Sequence, residues 1–218
     1  MRLGFLSTAL FASMLLATPA LADGLSGMGA NLFGNYFHFP RPNLDRPKVK
    51  SITVGPMRLS LQHTRLSDIR AVFGGTIMTQ GSDKSLASWL CYQTDDKKGQ
   101  ATDTWFISNV LGGGEFVMIV AVQVAPMGGM PADCTAAPAK FAPPNMGIPG
   151  IGASSSDLDR AFGASGFGNQ ITYRADEPGA DALGTSTNAH YIAYMMSGDH
   201  GVGDGAGETS VPAPPKSP

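Results

Sequence analysis

Cysteine and histidine are scarce in this 218-residue chain, and their scarcity removes most metal chemistry. Two cysteines, Cys91 and Cys134, are too few for a structural zinc site, and no histidine stands at ligand spacing from either. The four histidines, His38, His63, His190 and His200, form neither H-x-x-x-H nor H-E-x-x-H, so metal-dependent hydrolysis has no motif. Charge is also thin: 15 basic against 17 acidic side chains, net −2, with no basic tract. Such a chain has no electrostatic reason to seek nucleic acid or anionic lipid. Complete phosphate and nucleophile motifs are missing as well. Gly150-Ile151-Gly152 stops short of G-x-G-x-x-G and reads as the approach to a capped helix. Gly163-Ala164-Ser165-Gly166-Phe167 has Phe where a nucleophile elbow needs its last Gly, and it follows a predicted helix rather than a strand. No catalytic residue, cofactor or metal site is therefore expected.

The N-terminus is the most informative segment. MRLGFLSTALFASMLLATPALA, residues 1–22, has a basic start at Arg2, an apolar run from Leu3 to Ala17, a break at Pro19 and the small-x-small site Ala20-Leu21-Ala22. It reads as a cleavable signal peptide; the run is shorter than the roughly 20 residues a span requires. The expectation is a periplasmic or secreted chain beginning at Asp23, with no transmembrane anchor. An oxidising compartment and an even cysteine count then favour a Cys91–Cys134 disulfide, worth roughly 4 kcal/mol by loop-closure entropy.

Patterning along the rest predicts an α+β chain: an antiparallel meander with short helices on one face, in two related units. Residues 23–50 lack periodicity and read as an arm whose aromatics, Phe33, Tyr36, Phe37 and Phe39, form a packing or binding surface. The first unit, 51–125, is a β-α-β-β-β run. Ile52–Val54 and Met57–Leu61 alternate in opposite phase about Gly55-Pro56, as across a bulge on an edge strand. Leu66, Ile69, Val72 and Phe73 line a helix capped at Thr64 and ended by Gly74-Gly75. Strands follow at 87–93, 104–110 and Glu115–Ala125, the last two joined by Gly112-Gly113-Gly114. Residues 126–150, rich in Pro and Gly, read as a linker. The second unit, 151–197, has a helix capped by Ser154 with Asp157, then strands at 170–174 and 190–196. Residues 198–218, Gly-rich then Pro-rich, read as a disordered tail.

The two units resemble each other. TRLSDIRAVFGG (64–75) answers to SSSDLDRAFGAS (154–165), and WLCYQTD (89–95) to QITYRAD (170–176). A short helix ending in Phe-Gly, then an aromatic-Tyr strand and a meander, twice in an exported chain, resembles the beta-lactamase-inhibitor-protein fold. The same unit occurs singly in the SmpA/OmlA (BamE-like) envelope family. The resemblance spans roughly 51–125 and 148–197. It departs from that pattern in having one helix per unit rather than a pair, and no clear third strand in the second unit. It implies protein binding rather than catalysis: a non-enzymatic module, of inhibitor or immunity type, with another extracytoplasmic protein as partner. An envelope accessory or assembly factor is the alternative, and an uncharacterised periplasmic enzyme a third.

Three smaller features complete the reading. Asp199, Asp204 and Glu208 do not have EF-hand spacing and read as a solvated acidic stretch. Met127-x-x-Met130 beside Cys134 is the only trace of a copper pattern, and packing accounts for it better. Both faces of Glu115–Ala125 are apolar, so the arm or the second unit is expected to cover the second face.

Overall fold

The structure is a computed structural model, and it describes residues 24–34, 41–95, 100–126, 129–163, 168–179 and 186–212. The architecture is α+β with antiparallel pairing throughout the main strands, as the patterning requires. Three short helices accompany the strands: α1 (Gly27–Gly34), α2 (Leu66–Phe73) and α3 (Ser155–Phe162). A small hairpin, β1 (Ile52–Val54) and β2 (Met57–Leu59), stands apart from an eight-stranded sheet. That sheet contains β3 (Met78–Gln80), β4 (Ala87–Asp95), β5 (Ala101–Asn109), β6 (Ile119–Val124), β7 (Thr135–Ala136), β8 (Gln170–Pro178), β9 (Ser186–Ser197) and β10 (His200–Pro212). Its order is β3-β4-β5-β6-β10-β9-β8, with β7 added parallel to β4.

The centre of the sheet is where the third strands of two meanders pair. β4-β5-β6 and β8-β9-β10 lie back to back through the β6–β10 ladder. The register makes this two-fold. One row across the sheet runs Tyr92, Thr104, Val122, Asp204, Tyr194, Ile171; the next runs Leu90, Phe106, Val120, Ala206, Ile192, Tyr173. A half-turn about the β6–β10 seam exchanges the rows, carrying Tyr92 onto Tyr173, Leu90 onto Ile171, and Val120 onto Asp204. The first two pairs are ones that the repeat alignment equates; the third comes from the register alone. Each helix repeats the relation: Phe73 of α2 meets Tyr92 edge-on at 6.1 Å, and Phe162 of α3 lies over Tyr173 at 4.2 Å.

Each sheet face is closed by different elements. One face, carrying both rows above, is buried under the β1–β2 hairpin, α2, α3 and residues 137–153. The other, with Trp89, Cys91, Trp105, Ile107, Ile119 and Ala121, is buried under Leu25, Met28 and Leu32. α1 lies against β5, β6 and β10 and so covers the second face of β6, as expected of the arm. Its glycines permit the approach: a Cβ on Gly29 would stand 2.9 Å from the Trp105 ring.

Several expectations are corrected. The 198–218 tail is not disordered through its first part: His200–Pro212 is a central strand, and it supplies the third strand that the second unit lacked. Gly203, Gly205 and Gly207 alternate with Asp204, Ala206 and Glu208. A Cβ on Gly205 would collide with Leu32, and one on Gly207 with the Tyr191 ring, so this strand carries glycine where a neighbour lies flat against it. The 126–150 linker is packed: Cys134 is disulfide-bonded, Phe141 stacks 4.9 Å from Tyr92, and Met146 is buried. The arm has a helical turn and more. Gly55-Pro56 is a hairpin turn, not a bulge, with Gly55 at φ +51°. The α2 cap is Arg65, whose N–H donates to Asp68, while Thr64 instead accepts from the Ser60 N–H. The apolar strand is shorter than Glu115–Ala125 because residues 115–117 turn away to pair with residues 62–66. The Ser154–Asp157 capping box is present as anticipated: the Asp157 N–H donates to Ser154 Oγ at 3.2 Å and the Ser154 N–H to Asp157 Oδ2 at 3.0 Å. Among the described residues no helix is long and apolar enough to cross a membrane.

Candidate functional site

The expected disulfide is present, Cys91 to Cys134, and it sets up the polar heart of the arm-covered face. Asp133, next to it, accepts from Trp89 Nε1 at 2.9 Å and Trp105 Nε1 at 3.2 Å, and its other oxygen accepts from Ser26 Oγ at 3.2 Å. Cys91, Asp133 and Cys134 bring three potential ligand atoms together, but both sulfurs are engaged in the disulfide and cannot hold a metal. Beside them Gln93, Asp103 and Gln123 form a polar row across β4, β5 and β6. Gln93 donates to Asp103 at 2.8 Å, and Gln123 accepts from the Met28 N–H at 2.7 Å. Burial holds the Asp103 carboxyl above its ordinary value. Of these contacts, Ser26–Asp133 and Met28–Gln123 tie down the arm, and the others join the strands to one another and to the segment at Cys134, all of them structural duties.

Of the aromatic surface, Phe33 is partly buried against this core, and Tyr36, Phe37 and Phe39 lie outside the described residues. Met130 is exposed, and Met127 lies outside the described residues. At α3 the Asp157 carboxylate and Ser154 occupy the N-terminus, so an anion arriving there would meet a negative charge.

The remaining chemistry sits on the opposite face of β10. The acidic stretch is not simply solvated. Asp204, Ala206 and Glu208 project from one side of the strand, with Ala206 in the core between two carboxylates. Glu208 is partly buried beside His190, 3.6 Å from Nδ1, while Glu177 lies 3.6 Å from Nε2. Burial raises the Glu208 carboxyl above its usual value against the opposing pull of His190, His63 and a hydrogen bond from Gln62. His190 stands between the Glu177 and Glu208 carboxylates, and Glu208 also lines a polar pocket with His63 and Lys50.

Asp204 is different. Only 3 % of it is exposed, no hydrogen bond reaches Oδ1, and burial pushes its carboxyl up to about 7. It lines a cavity of about 520 Å³ between β5, β6 and β10 and the segment 143–152. Thr102, Val122 and Val124 form the sheet side, Pro143, Pro144 and Ile151 the opposing wall, and His200 the rim. Gly150 crosses close to Oδ2, near enough that a Cβ there would touch it at 3.6 Å. Among the described residues no Lys or Arg lines the cavity. The volume lies in the range of small-molecule sites. The position related to Asp204 by the two-fold holds Val120, wholly buried. The sheet therefore accepts an ordinary apolar residue there, and the carboxylate is not demanded by the fold. Sequence reading named Asp204 but could not tell it from its solvated neighbour Asp199, because only the overlying segment removes water from it.

No family model, no curated protein and no solved structure matches this chain.

Proposed function

We propose that this chain is an exported, non-enzymatic protein-binding module of inhibitor or immunity type, acting on another extracytoplasmic protein through the cleft above Asp204. The observation that carries the reading is Asp204 itself. A carboxylate taken from water without a partner costs several kcal/mol, and the two-fold-related Val120 demonstrates the cheaper alternative. A group kept at that cost beside an open cavity is a recognition element. Covalent catalysis would need a nucleophile with its base; among the described residues no Ser or Cys lines the cavity, and the Thr102 hydroxyl bonds Thr94 at 2.7 Å. The two-fold sheet supports the same reading, since two tandem BamE-like units joined through their third strands would have this strand order. Export is supported by the N-terminal pattern and by the disulfide.

The test is capture of partners from envelope extract by the purified mature chain, alongside a variant whose cleft is filled by Val124→Trp. A soluble partner held by the wild type and released by the variant supports the proposal. Co-purification of outer-membrane assembly components would point to the accessory role instead. A set of partners indifferent to filling the cleft, or turnover of a hydrolase substrate abolished by it, would overturn the proposal.

A further inference from the structure

We propose that the Asp204 cavity is a receptor for an organic cation, an alkylammonium or guanidinium group, carried by a free small molecule or by a basic side chain. The inference rests on the reading of this cleft as the binding site and names the chemistry it selects. Three independent features point the same way. Among the described residues the lining has one carboxylate and no Lys or Arg, so the fixed charge they place in the cavity is negative. That carboxylate is buried with an oxygen lacking any hydrogen-bond donor, and a cation with N–H groups supplies both missing elements at once. Around it, Val122, Val124, Pro143, Pro144 and Ile151 offer apolar walls that suit the methylene stem of an amine or guanidine. The two-fold-related position, filled by Val120 under core side chains, has no such opening or charge.

Burial favours the neutral carboxyl, and a bound cation favours the ionised one. Binding therefore strengthens as pH rises past about 7. The titratable groups facing Asp204 are Tyr194 from the neighbouring strand and His200 at the rim; Asp157 and Arg160 of α3 pair with each other at 3.0 Å in the adjoining depression.

The experiment is an NMR titration of the isotope-labelled mature chain with butylammonium, methylguanidinium, Nα-acetyl-lysine methylamide and Nα-acetyl-arginine methylamide. Butanol and butyrate serve as controls, at pH 5.5 and pH 8. The expected result is saturable shifts at residues 143–152 and 200–204 with the cations only. Affinity should fall at least about tenfold at pH 5.5 and in Asp204→Asn. His200→Gln should keep the pH dependence, and Glu208→Gln should keep both affinity and shifts. Tighter binding of the free amines identifies a small-molecule source, and tighter binding of the capped amino acids identifies a partner's side chain; either supports the inference. Silence from every cation, equal binding in a folded Asp204→Asn, preference for butyrate, or loss of the pH dependence in His200→Gln would overturn it. Those failures leave partner capture untouched, since capture is read with the cleft filled rather than with its charge removed.

Discussion

Replacing Asp204 by Asn should make the folded chain more stable at alkaline pH and leave it unchanged in acid. The magnitude follows from the carboxyl's displacement from 3.8 to about 7, caused by burial. Each pH unit of that gap is worth about 1.4 kcal/mol, so ionising Asp204 in the folded state costs about 4 kcal/mol. The sign is fixed by proton counting. Between the two values the folded chain keeps a proton that the unfolded chain releases. The contribution is whole below about pH 4, falls as pH rises, and is exhausted above about 7. Asn keeps the shape and removes the charge, so the variant should lack this fall. Its advantage should grow from near zero at pH 4 toward as much as about 4 kcal/mol at pH 8, less whatever the buried amide costs. Asp204→Val, which copies Val120, should gain at least as much at pH 8 and lose less than about 1.5 kcal/mol at pH 4. Urea unfolding of the mature chain at pH 4, 5.5, 7 and 8 measures all of this. Glu208 and Asp103 shift in the same direction but are present in every variant, so the difference curves isolate Asp204. Parallel curves for wild type and Asp204→Asn, or an advantage of the variant over wild type that is smaller at pH 8 than at pH 4, would refute the claim of a desolvated, unpaired carboxylate.

Three further outcomes are expected. Ser154→Ala removes the acceptor for the Asp157 N–H and should cost about 1 kcal/mol, read from the urea midpoint. Reduction of Cys91–Cys134, or Cys91→Ser with Cys134→Ser, should cost about 2–5 kcal/mol and lower the tryptophan-monitored Tm, because Asp133 beside the bridge holds both indoles; an unchanged Tm would show the bridge to be dispensable. Gly205→Val should drive Leu32 off the sheet and destabilise by about 1–3 kcal/mol, with hydrophobic-dye binding revealing α1 lifted from its face. A Gly205→Val chain as stable as wild type would mean that α1 does not lie where Leu32 meets β10.

The sequence by itself settled whatever local chemistry decides. Ser154 and Asp157 cap their own helix, Gly74 and Gly163 end theirs, and the apolar runs of β4, β5 and β6 can only be buried strands. The disulfide was expected from the even cysteine count and the signal-like N-terminus, and the Phe-Gly and Tyr correspondences were legible as a repeat. What escaped depends on partners distant in the chain. β10 reads as a loose tail because glycine contributes no hydropathy, and its period-two spacing, Gly203, Gly205, Gly207, has meaning only once Leu32 and Tyr191 press on it. The arm's helix is eight residues, its Met28 N–H donates to Gln123 of β6, and such a segment is stabilised by the sheet it covers rather than by its own propensity. Residues 126–150 look like a linker because Phe141 and Met146 are isolated in sequence and find each other's core only across the sheet. Asp204 shows the division most plainly. Its identity and its place among glycines are in the sequence, but its lost hydration, its raised pKa and its cavity exist only because residues 143–152 fold back over a strand that begins fifty residues later.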